Sequence, residues 1–243
     1  MIEGQKLGTF YGYKSAGIWQ EDEVNAPFVD ANGVKNGKTN GQTYKVLAGS
    51  IKLVDRNKDG VINEEDQSVI GCGQPTFNWG WSNTFNYKNF DFSFFVVGFH
   101  GFDIYNANEH MAISGIRAQS KAPVVPLRKL QNRWTPTNTN TDIPGFVKGG
   151  NMYVGRYMSR YVEDGSFIKM KSITLGYTLP EKCCNSLGIN NLRVYASVQN
   201  PFHITRYSGL DPEATLGNPL IQGVDWGSYP NSRNYLVGLN FAF

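Results

Sequence analysis

Residues 55–66 read Asp-Arg-Asn-Lys-Asp-Gly-Val-Ile-Asn-Glu-Glu-Asp, and their oxygen-bearing side chains recur at a spacing that suits a hard cation. Counted from Asp55, donors stand at loop position 1 (Asp55), 3 (Asn57), 5 (Asp59), 9 (Asn63) and 12 (Asp66), with Gly60 at position 6 and the β-branched Ile62 at position 8. This is the spacing of an EF-hand-type calcium loop. Steps of two set alternating side chains around one centre, Gly60 permits the sharp turn, and Val61 offers its backbone carbonyl. The expected ligands for Ca2+ are Asp55, Asn57, Asp59, the Val61 carbonyl and Asp66, with Asn63 acting directly or through water. Asp66 is shorter than the Glu usual at position 12, which weakens bidentate closure. The alternative is a polar Asp/Asn/Gly turn that holds no ion. No amphipathic helices flank the loop and no second loop exists, so it does not read as a sensor; its expected task is to pin a long external loop.

The remaining reactive side chains do not assemble into chemistry. His100, His110 and His203 lie far apart and lack a spacing such as His-Glu-x-x-His. Cys183 and Cys184 are adjacent, so with Cys72 they form neither a disulfide framework nor a Cys-x-x-Cys pair. Glu163 and Asp164 are neighbours that a strand would point to opposite faces, and Asp164-Gly165 reads as a bend rather than a pair of opposed carboxylates. No Gly-x-Ser-x-Gly or Walker-type loop occurs. The sequence therefore points to a protein that is not an enzyme.

What must position the calcium loop is a β-rich chain. Of 243 residues, 18% are charged, 13 are Tyr and 15 are Phe, and the net charge of +3 is too small to argue for nucleic acid. The terminus Met1-Ile-Glu-Gly-Gln-Lys carries no signal-peptide pattern, and the apolar run at Phe94–Val97 is far short of a membrane helix, which needs about 20 residues. Alternation is the stronger signal. Tyr235, Val237, Leu239 and Phe241 alternate with Asn234, Leu236, Gly238, Asn240 and Ala242. Phe77, Trp79, Trp81, Phe85 and Tyr87 alternate with Asn78, Gly80, Ser82, Thr84 and Asn86. Ile173, Leu175 and Tyr177 alternate with Ser172, Thr174 and Gly176, and Leu192, Val194, Ala196 and Val198 with Arg193, Tyr195, Ser197 and Gln199. Phe90, Phe92 and Phe94 begin the same rule, but Phe95 and Val97 blur it. Period two means strands with one face in an apolar medium.

The expected fold is all-β: long antiparallel up-and-down strands over 8–20, 76–87, 89–100, 166–179, 191–206 and 232–243. Their length exceeds the roughly 5–6 residues of globular strands and fits the roughly 9–11 that a tilted strand needs to cross a bilayer. Short and long links alternate: Lys88-Asn89 and 180–191 are short, whereas 21–74, 101–159 and 207–231 are long and rich in Gly, Asn, Pro and Thr. Transmembrane barrels have short periplasmic turns and long external loops, which places the calcium loop outside and Cys183 and Cys184 in the periplasm. Within the loops, Leu127 and Leu130 suggest a short helix confined to the C-terminal side of Pro123 and Pro126. Trp134, Tyr153, Tyr157 and Trp226 are loop aromatics suited either to stacking on sugar rings or partner contact, or to an interfacial belt.

The order of several motifs resembles the C-terminal part of SusC/RagA-type TonB-dependent outer-membrane transporters. The pieces are Gly12-Tyr13-Lys14 with Gly17-Ile18, Gly49-Ser50-Ile51-Lys52 running into Asp55-x-Asn57-x-Asp59-Gly60, and Ile70-Gly71. Asn83-Thr84-Phe85, Arg133-Trp134-Thr135-Pro136, Val162–Phe167, Ile173–Tyr177, Gln199-Asn200 and Tyr207-Ser208-Gly209-x-Asp211-Pro212 follow. Cys72 and Pro201 depart from the family pattern. The resemblance implies a 22-stranded outer-membrane barrel, plugged by an N-terminal domain that this sequence lacks and energised through TonB. It further implies import of glycans or peptides with a SusD-like surface lipoprotein as lid. On this reading the chain is a transporter segment whose six strands leave two edges open, an arrangement a bilayer does not tolerate, so that alone it would not transport. The rival readings are a secreted calcium-binding β-sandwich acting as a carbohydrate-binding module, and a secreted glycosidase. Strand length and the alternation of links favour the barrel, since a sandwich turns every 8–12 residues or so.

Overall fold

The computed structural model describes residues 3–24, 28–29, 35–36, 47–59, 62–114, 128–145, 157–186, 188–217 and 221–242. In chain order the strands are β1 (Thr9–Gly12), β2 (Ser15–Ile18), β3 (Phe28–Val29), β4 (Lys35–Asn36), β5 (Ile51–Leu53), β6 (Ser68–Cys72), β7 (Phe77–Tyr87) and β8 (Phe90–His100). They continue as β9 (Asp103–Asn106), β10 (Val162–Asp164), β11 (Phe167–Thr178), β12 (Asn191–Gln199), β13 (His203–Thr205), β14 (Val224–Asp225) and β15 (Asn234–Ala242). The α-helices are α1 (Glu21–Val24), α2 (Ala107–Ser114) and α3 (Glu181–Ser186). None of the described helices is long and apolar enough to cross a membrane. The chain divides into two compact units, one from residues 1–73, 104–163 and 224–227, the other from 74–103, 164–223 and 228–243.

The second unit is built on an antiparallel meander in the order β15-β12-β11-β8-β7, with β13 also paired to β11. Its register sorts the side chains into two faces. From Phe77↔His100 to Tyr87↔Phe90 the β7–β8 pairing is unbroken. Carried through β11, β12 and β15, it puts Phe85, Phe92, Leu175, Ala196 and Val237 in one row of one face. The adjacent rows hold Tyr87, Phe90, Tyr177, Val194 and Leu239 on one side and Phe94, Ile173, Val198 and Tyr235 on the other; Asn83, on the edge strand, is the polar exception. The opposite face carries Ser82, Thr84, Asn86, Asp91, Ser93, Thr174, Arg193, Ser197 and Asn240. On the apolar face Val237 is 82% exposed and Leu239 60%, as expected of residues that await lipid rather than a protein core.

Phe95 and Val97, which blur the alternation, belong to the polar face: they pair with Ser82 and Gly80 and continue the row set of Ser93. Strand β11 reconciles them by a bulge, since Met170 faces Val96 and Ser172 faces Phe95, leaving Lys171 as the extra residue. Opposite it, Asn200 takes a positive φ of 50° and its N–H donates to the Lys171 carbonyl. Pro201 has no N–H for the ladder, so the strand expected over 191–206 is split there into β12 and β13. At the other end of β11, Gly176 makes room for an ion pair that spans it. Arg193 on β12 donates from Nε (2.9 Å) and Nη2 (2.5 Å) to Asp91 on β8, and a Cβ on Gly176 would stand 2.3 Å from Asp91 Oδ1.

The strand expected over 8–20 is not part of this meander. It is broken into β1, which pairs with β6, and β2, which pairs with β5. Adjacent apolar residues are the cause: Phe10 and Tyr11 cannot share a face, the β1–β6 register shifts between them, and Gly17 takes a φ of +106°. Phe10 and Tyr13 are buried in a core with Ile51, Leu53, Tyr105, Ile113, Leu130, Ile143, Met158 and Tyr161, and Ile18 is buried as well. A Cβ on Gly12 would lie 2.4 Å from the Tyr157 carbonyl oxygen, so the chain passes too close there for any other residue. The described parts of the links 21–74 and 101–159 thus join residues 8–20 in a folded unit with its own hydrophobic core. The short helix expected after Pro126 is present as a 3-10 turn over Arg128–Asn132.

Candidate functional site

The calcium-type loop joins β5 to β6 in the first unit. Its polar side chains fold the backbone onto themselves in successive turns. Asp55 Oδ1 accepts from the Lys58 N–H (2.7 Å), Asn57 Oδ1 from Asp59 N–H (3.1 Å) and Asn63 Oδ1 from Glu65 N–H (2.7 Å). Such Asx turns are what short acceptor side chains do beside their own backbone. Asp66, 2% exposed, closes the loop: its Oδ1 accepts from Arg56 N–H (2.7 Å) and its Oδ2 from Asn63 N–H (2.9 Å). Asn63 and Asp66 form a reciprocal capping box on the 3-10 turn Glu64–Asp66. Lys58 accommodates the tight path with a φ of 62°.

The structure therefore brings Asp55, Asn57 and Asp59 to one end of the loop and ties Asp66 and Asn63 across its base. Gly60 and the Val61 carbonyl lie outside the described residues. Glu65, which the sequence reading did not single out, joins the group: Asn57 Nδ2 donates both to Asp59 (2.8 Å) and to Glu65 (3.2 Å). Among the described residues no three His, Cys, Asp or Glu side chains converge as a metal site, so an ion in this loop would need the Asn oxygens and a carbonyl as well. That donor set, hard oxygens alone, is the kind calcium takes.

The loop aromatics separate clearly. Trp134 is a core residue, 7% exposed, whose Nε1 donates to Gln20 Oε1 at 2.9 Å. Tyr157 and Trp226 are 51% and 59% exposed and remain available to a ligand or partner. Tyr153 lies outside the described residues. Asp164 forms the expected bend, accepting from the Ser166 N–H, while Glu163 accepts from Asn106 Nδ2.

One buried titratable group in the first unit is sensitive to pH. His110 Nδ1 is 2.7 Å from the Tyr105 hydroxyl and its ring stacks 4.5 Å from Tyr161. Its Nε2 and the Tyr161 hydroxyl have no partner among the described residues. Burial first, and then the nearby Arg160 charge, lower the imidazole pKa to about 4, and burial pushes Tyr161 up to about 12. The unfolded chain takes up a proton on His110 near pH 6.5, while the folded one holds it neutral until about pH 4. Stability of this unit is thus full above pH 6.5 and should fall by about 3 kcal/mol between there and pH 4. Hydrogen exchange of the α2 amides across that range, in wild type and His110→Phe, measures it; equal pH dependence in the two proteins would refute the assignment.

In the second unit a charged cluster links β11 to the 3-10 turn Pro212–Leu216. Lys169 Nζ donates to Asp211 Oδ2 (2.8 Å) and pairs with Glu213 Oε2 (2.7 Å), while Lys171 pairs with Glu213 Oε1. Asp211 Oδ2 also accepts from both the backbone N–H and the side-chain amide of Asn231, and Oδ1 from the Glu213 N–H. Burial, the largest single influence, would raise both carboxyls, but Lys169 together with the Asn231 and Glu213 N–H groups at Asp211, and with Lys171 at Glu213, outweighs it, and both lie below the usual carboxylate range. No single-sequence signal pairs residue 169 with 211, because neither strand periodicity nor turn chemistry reaches across such a separation.

No protein-family model matches the chain. It is 36% identical over 247 residues to TonB-dependent receptor P3 of Formosa agariphila, covering 99% of this chain and 22% of that protein. It is 30% identical over 198 residues to TonB-dependent receptor SusC of Bacteroides thetaiotaomicron, covering 79% of this chain and 17% of SusC. The chain belongs to the TonB-dependent receptor family. It spans about a fifth of the length of those relatives. Its fold is that of the RagAB peptide importer in the open-open state, with a TM-score of 0.66 at 21% identity over 100% of this chain and 24% of that one. A second structure, of the RagAB peptide transporter, gives a TM-score of 0.67 over 97% of this chain.

As a TonB-dependent receptor segment, the chain is part of an outer-membrane β-barrel, and the two faces of the meander acquire a meaning. The apolar face is the lipid face and the polar one lines the lumen. The same findings set aside the β-sandwich reading.

Proposed function

We propose that this receptor segment forms part of the wall and the outer loops of a transporter that imports oligosaccharides or peptides across the outer membrane. The observation that carries the reading is the sheet itself: five long strands present an apolar surface to lipid and a polar one to the lumen, in a chain homologous along its length to TonB-dependent receptors. Among the described residues no further strand pairs with its edge strands β7 and β15, and a bilayer does not tolerate an open edge, so the wall is completed by further strands of the same barrel. Energy enters through TonB acting on parts of the receptor outside these residues, and a SusD-like surface lipoprotein covers the outer mouth. The exposed Tyr157 and Trp226 are suited to that mouth. Uptake of labelled oligosaccharides and peptides by cells carrying the full-length receptor tests this. Deletion of the receptor or of TonB should abolish import of one of the two classes; unchanged import of both would overturn it.

The loop at 55–66 serves this receptor as a structural calcium site, ligated by Asp55, Asn57, Asp59, the Val61 carbonyl and Asp66, with Asn63 direct or through water. Support comes from the oxygen spacing and from Asx turns that hold the side chains of Asp55, Asn57 and Asn63 inside the loop. Calcium titration of the folded receptor by calorimetry should give a binding heat that Asp55→Ala removes. No calcium-dependent heat in the wild-type receptor would reject the site.

A further inference from the structure

Lys169 stands on the lumenal face of β11, where a lysine ordinarily reaches water, yet its side chain is only 3% exposed. What covers it is the segment 207–217, in which Tyr207, Asp211, Pro212 and Thr215 are themselves buried. The same end of that face holds Phe167, 2% exposed and stacked at 5.1 Å on Phe99. Between segment and wall lies an open cavity of about 480 Å3 lined by Pro75, Asn78, Phe99, Glu213 and Leu216. The segment therefore lies on the inner side of the wall, at the strand ends that carry the long connections.

We propose that Lys169, held by Asp211 and Glu213, is a latch that keeps segment 207–217 folded into the lumen, so that the segment narrows the outer half of the passage. Two carboxylates meet one buried ammonium, Lys171 shares Glu213, and Asn231 fastens the far end of the same loop to Asp211. Buried ion pairs add little net stability over apolar packing, but removing one partner strands the other charge without compensation. The cluster thus fixes where the loop lies rather than how stable the wall is: with Lys169 gone, Asp211 regains solvation only if the segment lifts away. The idea rests on the import reading for what the passage carries, but not for the latch itself.

The test is thiol labelling of the full-length receptor in intact cells, with Cys72, Cys183 and Cys184 replaced and Thr215→Cys as reporter. Thr215 is 4% exposed and belongs to the covered segment, not to the latch. The reporter should be protected from a bulky polyethylene-glycol maleimide, and its labelling rate should rise at least about tenfold with Lys169→Met, as for a segment released into local opening. The conservative Lys169→Arg, which keeps a cation between Asp211 and Glu213, should leave the reporter protected. Heat-modifiable migration on gels reports that the barrel is folded; should Lys169→Met fail that check, the isosteric Asp211→Asn takes its place with the same expectation. Equal labelling in wild type and in a folded latch variant overturns the proposal. Because labelling does not require import, a receptor that fails to import either substrate class still reports on the latch.

Discussion

Val237→Arg is expected to destabilise the folded barrel in lipid by about 2–4 kcal/mol, whereas Leu236→Arg, one residue away, should cost far less. The reason is register. Val237 shares a row with Ala196, Leu175, Phe92 and Phe85, and apolar rows lie on both sides of it, so that its side chain lies within the apolar face that meets the hydrocarbon layer. A guanidinium there must desolvate or deform the bilayer. Leu236 pairs with Ser197, in a row continued by Thr174, Ser93 and Thr84, where hydroxyls such as the Thr174–Ser197 pair (2.9 Å) mark a hydrated surface. Denaturant unfolding of the receptor refolded into lipid vesicles measures both variants. Equal midpoints, or the reverse order, would mean that the faces are assigned the wrong way round.

The second large effect is close to all-or-none. In intact cells, a cysteine placed at Thr139 should react with a membrane-impermeant maleimide, and native Cys183 should stay protected until the outer membrane is opened. Strand connectivity dictates this. Lys88-Asn89 and residues 179–190 close the same end of the meander, while residues 101–166 and 206–233 leave from the other. In outer-membrane barrels the short connections face the periplasm. Thr139 is exposed within the long connection and Cys183 is exposed in α3 of the short one, so accessibility to solvent does not separate them; only the side of the membrane does. Cys184 is a poorer reporter because it is 1% exposed and reacts slowly on either side. Prompt labelling of Cys183 in intact cells would invert the topology.

Much of this molecule is legible in local order. The period-two pattern of Tyr235–Ala242, Phe77–Tyr87 and Leu192–Gln199 predicts strands and their faces, because a pleated backbone leaves successive side chains no other choice. The unequal links predict a meander with one short and one long end. In the calcium-type loop, Asp, Asn and Gly in steps of two predict backbone turns, which the Asx bonds of Asp55, Asn57 and Asn63 make. Each of these follows from interactions spanning a few residues.

Other features were decided only when distant segments met. The stretch 8–20 reads as a wall strand, yet it is broken into β1 and β2, and Phe10 and Tyr13 are buried in a separate core, because β6 and β5 pair with those strands and Ile51, Leu53 and Tyr105 supply apolar partners. Phe95 and Val97 blur the alternation of β8, and it is the unbroken pairing with β7, opposite Ser82 and Gly80, that places them on the polar face, while β11 accommodates that register with its bulge at Lys171. Nothing in its local sequence marks Lys169 for burial, and its carboxylate partner Asp211 lies 42 residues further along the chain. Periodicity carries which face a residue shares with its near neighbours. What then covers that face depends on long-range contacts: at Lys169 the burial of neighbouring apolar groups and the pairing with two carboxylates must offset the cost of desolvating the ammonium.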